Sequence, residues 1–312
     1  MVDSKQQWKA WLYLAPAIVL LLIFTVWPII NTVRIAFLEG YNALSVLIGE
    51  EFKIGFGNFL DVLLADDFFE CLKNTMFLTF LTVIPSTMLA LLIAVALNSI
   101  KPLQKFLQTI FFLPYVTNSI AIGMVFAAMF NIIGLRPDGS TADSWGIINN
   151  VIVFFGGNPI NWINAQSSYA ANLAVMTIYI IWNALPFKIL ILLGGLQSVN
   201  KQYYDAAKVD GTSRARVFTR ITIPLLSPML AYVIITGFIG GFKEYTSIVG
   251  IFGETMGPAN APGRLNTMVG FVYDALEVAK EGRASAAALI LFAIILVVTV
   301  FNNKVIKKHV HY

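Results

Sequence analysis

Leu196-Gln197-Ser198-Val199-Asn200-Lys201-Gln202-Tyr203-Tyr204-Asp205-Ala206-Ala207-Lys208-Val209-Asp210-Gly211 is a polar interlude in a chain that is otherwise strongly apolar. It continues as Thr212 to Arg220 and then Ile221-Thr222-Ile223-Pro224. The residue types predict a short helix that breaks at Gly211 and then a second helical piece. In that piece Ala215, Phe218 and Ile221 share one face at i, i+3, i+6, while Arg214, Arg216 and Arg220 lie elsewhere. This pattern describes an amphipathic helix-turn-helix lying at a membrane surface. The small pair Ala206-Ala207 leaves room for another protein's surface to approach closely, and Pro224 marks the start of the next apolar stretch.

Outward from this interlude, the chain divides into stretches free of Asp, Glu, Lys and Arg that reach the roughly 20 residues a helix needs to cross the hydrocarbon of a bilayer. They run over Ala10 to Val33, Asn74 to Ile100, Phe106 to Leu135, Ile221 to Phe242 and Ala284 to Asn303, and a sixth, Tyr169 to Leu196, is interrupted only by Lys188. Read as spans these become 10–33, 74–100, 106–133, 169–196, 225–251 and 284–303, with 197–224 as the loop between the fourth and fifth. The expected fold is an all-α polytopic membrane protein of about six transmembrane helices, a single membrane domain over 1–312. The first stretch is longer than the apolar core of a signal peptide, and no convincing cleavage site follows it, so it reads as a retained anchor. Pro28, Pro85, Pro114 and Pro186 lie in or near the ends of spans, where each removes a helical hydrogen bond. Kinked helices around a pathway would accommodate them, and so would the ordinary enrichment of proline in membrane helices.

Composition agrees. The chain is 58% hydrophobic and 12% charged, against about a quarter charged in soluble domains. Its single cysteine, Cys71, excludes an internal disulfide and a cysteine-rich metal site, and its two histidines, His309 and His311, sit at the C-terminal end. No metal site and no catalytic cluster is expected. The net charge of +4 could suggest nucleic acid, but the basic residues divide by side of the membrane instead. With both termini placed in the cytoplasm, twelve Lys and Arg fall on inside segments and seven on outside ones, as the positive-inside rule requires. The outer connections 39–73 and 134–168 are irregular, the first acidic and the second rich in Gly, Asn and Pro with Trp145 and Trp162. Such a surface suits an aqueous face and could receive a partner.

The interlude also resembles the signature of ABC importer permeases: Glu-Ala-Ala, three residues, Gly, nine residues, Ile, one residue, Leu-Pro. Here it reads Asp205-Ala206-Ala207, three residues, Gly211, nine residues, Ile221, Thr222, Ile223-Pro224. The spacing matches throughout, with Asp for Glu at 205 and Ile for Leu at 223. The resemblance covers most of the chain and is nearest to sugar-importer permeases of the maltose and glycerol-3-phosphate type. It is carried by Leu14-Ala15-Pro16, Trp27-Pro28, Asn74-Thr75, Phe111-Phe112-Leu113-Pro114, Trp182, Pro186-Phe187, Gly195-Leu196-Gln197 and Arg283-Ala284-Ser285-Ala286-Ala287. Within that family the chain looks like the larger maltose permease without its extra spans and external domain.

The resemblance implies the type I importer permease fold in the cytoplasmic (inner) membrane of a prokaryote. The partners would be a second homologous permease, two ATPase subunits and an extracytoplasmic solute-binding protein. Residues Tyr204, Asp205, Ala206, Ala207, Asp210, Gly211, Arg214, Phe218, Ile221 and Pro224 would form the ATPase-coupling loop. No G-x-x-x-x-G-K-[ST] stretch occurs, so ATP and magnesium belong to the partner subunits and this chain binds no cofactor. Ionisable residues within spans mark pathways by default, which singles out Lys188, Lys243 and Glu244, with Phe242 and Tyr245 as aromatic neighbours. The alternative is that Lys188 snorkels to the inner surface and that Lys243 and Glu244 pair across a subunit interface. An ion-coupled secondary transporter and a non-transporting membrane scaffold are the rival functions. The first would need more intramembrane acids, and the second leaves the loop spacing unexplained.

Overall fold

The structure is a computed structural model that describes residues 7–100, 104–133 and 144–307. Lys5, Lys101, Arg136, Lys308, His309 and His311, on which part of the charge reading rests, lie outside these residues, as does the side chain of Pro114. The described chain is nearly all helical. Five helices are long and apolar enough to cross a membrane: Trp8–Ala36, Phe68–Ser99, Tyr169–Ser198, Arg214–Phe242 and Glu281–Val305. The single β element among the described residues is a two-strand ribbon, β1 (Ile132–Ile133) antiparallel to β2 (Ser144–Trp145).

Two compact units divide the chain. One comprises the described residues of Met1–Phe68 with Phe271–Phe292. Its first long helix consists of α1 (Gln7–Leu21), a π turn at Leu22–Val26 and α2 (Trp27–Ala36), followed by the short helices α3 (Ala43–Leu47) and α4 (Gly57–Leu63). The π turn sits directly before Pro28, which lacks an N–H and would clash with the carbonyl four residues back in a regular turn. Asn58 is buried and holds the loop after α2, donating to the carbonyls of Ala36 and Leu38 at 3.1 and 2.7 Å. Arg283 reaches Asp61 and Asp67 at 3.6 and 3.9 Å and lies over the Phe271 ring.

The second unit, Phe69–Gly270 with the described part of Ala293–Tyr312, carries the site. It contains most of α5 (Phe68–Ser99), then α6 (Gln104–Val116), α7 (Ser119–Phe130), α8 (Ile147–Phe154), α9 (Tyr169–Ser198), α10 (Lys201–Val209), α11 (Arg214–Val217), α12 (Ile223–Phe242) and α13 (Thr246–Phe252). Three departures from the sequence reading matter. The stretch 106–133 is two helices, because the Asn118 side chain accepts from the backbone N–H groups of Ile120 and Ala121 and restarts the helix there. The proposed span 225–251 is likewise interrupted, with α12 ending at Phe242 and α13 beginning at Thr246. Finally, the piece after Gly211 is not a separate helix. It runs through α11 and a π turn at Phe218–Thr222 straight into α12, and the π turn again sits just before a proline, Pro224.

Two apolar clusters pack this unit. The first joins Ala90, Ala94 and Leu97 of α5 to Ile189, Leu192, Leu193 and Leu196 of α9 and to Leu226 and Val233 of α12. The second joins Leu78 of α5, Phe130 of α7 and Val175, Met176, Tyr179 and Ile180 of α9 to Ile248 and Ile251 of α13, Met256 and Leu265. Lipid tails are as apolar as leucine, so close fit rather than water exclusion holds such helices together. Gly123 and Gly250 show this most plainly. A Cβ on Gly123 would lie 2.7 Å from the Gly250 Cα, so α7 and α13 meet backbone to backbone.

Candidate functional site

Between the two clusters, α5 and α9 each carry a proline, and the chain is broken between α6 and α7 and between α12 and α13. Pro85 lies in α5 between Leu78 and Ala90, Pro186 in α9 between Ile180 and Ile189, and the chain leaves helical geometry at Thr117–Asn118 and at Lys243–Tyr245. A cavity of about 280 Å³ opens at this level. Its wall takes Ser86 from beside Pro85, Tyr115 from the end of α6, Asn183, Phe187 and Lys188 from around Pro186, and Gly240 and Glu244 from the end of α12.

Lys188 is 5% exposed. Its ammonium donates to the Val83 carbonyl at 3.2 Å, to Ser86 Oγ at 2.7 Å and to Thr87 Oγ1 at 3.0 Å. Both hydroxyls pass the bond on, Ser86 to the Thr82 carbonyl and Thr87 to the Val83 carbonyl. The ammonium's three donors are therefore used, and no acid lies within ion-pair distance among the described residues. Lys188 does not reach for the membrane surface. It ties α9 to α5 two residues past Pro186.

Glu244 sits in the break after α12. One carboxylate oxygen accepts from the backbone N–H groups of Tyr245 and Ser247, both at 3.1 Å, which satisfies donors that the first turn of α13 leaves open. Its carbonyl accepts from Thr267 Oγ1 at 2.8 Å. Of the five residues singled out for the pathway, the structure brings Lys188 and Glu244 to the cavity. Phe242 is wholly buried, Lys243 is exposed and Tyr245 packs against the second cluster. Tyr115, Asn183, Ser86 and Gly240 line the cavity without having been singled out. The polar residues next to Pro85 and Pro186 were the available signal, since a pathway is polar where a span is kinked.

The loop 197–224 presents a different geometry. Asn200 caps α10 by accepting from the Gln202 N–H at 3.0 Å. At the other end Gly211 has φ +64°, while Gly211 N–H donates to the Lys208 carbonyl at 3.1 Å and Thr212 N–H to the Ala207 carbonyl at 2.9 Å. This is a Schellman cap, whose left-handed residue glycine adopts without strain. Asp205, Ala206, Asp210, Gly211 and Arg214 are exposed, and Tyr204, Phe218, Ile221 and Pro224 are half-buried. Ala207 is buried against its own chain, so of the small pair only Ala206 faces outward. The exposed face of α10 thus carries Asp205 and Ala206 of the motif on a doubly capped helix.

The family described as the binding-protein-dependent transport system inner membrane component matches residues 86–309. The chain belongs to that family. The match takes in the whole loop 197–224 and the cavity wall from Ser86 onward. The chain is 29% identical over 297 residues to the arabinooligosaccharides transport system permease protein of Bacillus subtilis (strain 168), covering 94% of this chain and 87% of the relative. It is 27% identical over 295 residues to the trehalose/maltose transport system permease protein of Thermococcus litoralis, covering 95% and 92%. Among solved structures, it superposes with a TM-score of 0.77 on a chain of a bacterial ABC transporter involved in the import of the acidic polysaccharide alginate. The coverage is 98% of this chain and 97% of that one at 22% identity, a likeness of fold. This inner membrane component therefore has the fold of an ABC importer permease.

Proposed function

We propose that the chain is one of two homologous permease subunits of an ATP-driven importer in the cytoplasmic membrane of a prokaryote, and that it forms half of the path for a sugar or oligosaccharide. The observation that carries this reading is the exposed, doubly capped helix α10 with the permease spacing from Asp205 to Pro224. In this reading α10 docks on one of two ATPase subunits, which hold ATP and magnesium. Closure of the ATPase pair pushes α10, and because Arg214–Phe242 is one continuous helix, the push reaches the wall of the cavity directly. The pore then alternates between inward-facing and outward-facing states beneath a docked solute-binding protein. The sugar assignment rests on relatives named for arabinooligosaccharides, lactose and trehalose/maltose, and on a wall in which Tyr115 stacks on Phe187 at 5.8 Å beside Asn183 and Ser86. Aromatic faces and neutral polar groups suit the apolar faces and hydroxyls of a sugar ring.

Ala206 tests the docking because its side chain is exposed. An Ala206→Trp variant should keep the thermal stability of the native chain, lose the ATPase subunits on purification and lose import. Uptake by the native complex should survive a protonophore and stop without ATP. Import and ATPase attachment unchanged by Ala206→Trp, or uptake that the protonophore abolishes, would sink the proposal.

A further inference from the structure

Three glycines of α12 stand at the cavity wall, and the space around each differs. A Cβ on Gly237 would meet Val83 Cγ1 at 3.1 Å and the Lys188 ammonium at 3.3 Å, and one on Gly241 would meet Thr79 Cγ2 at 2.8 Å and the Thr79 Cα at 3.2 Å. These two positions let α12 lie close against α5 and over the buried lysine. Gly240 is another matter. A Cβ built there meets nothing within 4 Å, its backbone is that of an ordinary helical residue, and it belongs to the cavity wall. Within this chain, neither packing nor backbone conformation requires glycine at 240. A helix interior also disfavours glycine relative to alanine. What a side chain at 240 would change is the free volume of the cavity, already near the lower end of the range that small-molecule sites span.

We infer that Gly240 is a specificity-determining position, which sets by its missing side chain the largest saccharide unit the cavity admits. This rests on the reading of the chain as a sugar permease. Removal of one or a few methylene equivalents of room discriminates between substrates by roughly ten-fold or more in such pockets. Substitution at 240 should therefore grade with side-chain size and fall first on the bulkier solutes. The hydrogen bonds of Lys188 and Glu244 would stay as they are, because neither residue needs Gly240 to make them.

Two measurements on the assembled complex in membranes test this. In the first, a Gly240→Cys variant is treated with the water-soluble reagent trimethylammonioethyl methanethiosulfonate during ATP turnover. The native chain, whose only cysteine, Cys71, is buried, is the control. Labelling of the variant at roughly ten-fold the native rate or more is expected for a thiol facing an aqueous cavity. In the second, Gly240→Ala, Gly240→Val and Gly240→Phe are compared with the native chain for uptake of radiolabelled lactose, maltose, arabinotriose and maltotetraose, with ATP hydrolysis measured alongside. Import should fall in the order of side-chain size and earliest for the longest sugar, while ATP hydrolysis persists. Gly241→Val, which meets Thr79, should instead fail to yield the complex. An unreactive thiol at 240, or a Gly240→Phe variant that imports the same range of lengths as the native chain, overturns the inference alone. A native complex that imports none of these sugars overturns the sugar reading and the size limit with it.

Discussion

The two apolar clusters of the second unit are built on opposite plans. The cluster near the coupling loop is aliphatic, from Ala90 through Leu196 to Val233, and sits on three long helices whose backbone groups bond to one another. The cluster on the other side of the cavity mixes aliphatic residues with aromatic ones and methionines, and joins the N-terminal parts of α5 and α9 to the half-helices α7 and α13 and the connections around them. There the backbone is irregular, and side chains complete it. Asn74 donates to the carbonyls of Arg264 and Asn266 and accepts from the Tyr169 hydroxyl, while Asn172 donates to the Trp162 carbonyl and to Ser167 Oγ. Non-helical backbone at membrane depth survives only where it is satisfied in this way or lines a cavity. One side is built of long helices, the other of short pieces joined by side-chain hydrogen bonds.

Substitutions on the side built of short pieces should break this contrast most severely. Gly123→Val places atoms against the backbone of α13, which has no side chain to move aside, so destabilisation of about 3 kcal/mol is expected, with little folded chain recovered after detergent extraction. A yield and melting temperature equal to those of the native chain would show that the two half-helices can slide apart. Asn74→Leu comes next. It leaves two buried carbonyls and a tyrosine hydroxyl without their partner, and orphaning a buried group costs about 1 to 3 kcal/mol. Its melting temperature should fall clearly, though less than that of Gly123→Val. The smallest effect belongs to the boundary. Lys188→Met removes a buried charge, yet Ser86 and Thr87 keep their bonds to their own helix. Stability should therefore change by less than about 1 kcal/mol, because an apolar side chain of similar length replaces a buried ion at little net loss. A large drop in melting temperature would make the lysine the main tie across Pro85 and would blur the division into two plans.

Much of the site was visible before any coordinates. The interlude 196–224 reads as a short helix that breaks at Gly211, because the glycine signal is local chemistry; the Asn200 cap at its start came only with the structure. Lys188 and Glu244 stood out because charge within an apolar stretch is rare. Which of their neighbours line the cavity did not, since Lys243 and Phe242 are as close in sequence to Glu244 as the lining residues are.

Hydropathy and spacing alone determined that the chain is a helical membrane protein with a polar segment between two spans, because bilayer thickness and helix capping act on contiguous residues. Only the tertiary structure decided that the third and fifth spans are broken, that the polar segment after Gly211 continues into α12, and that Gly240 faces open space within this chain while Gly237 and Gly241 do not. Those outcomes depend on which surface each residue meets. Residues one apart on a helix point about 100° apart, so neighbours in the chain face different surroundings that the order of residues does not contain.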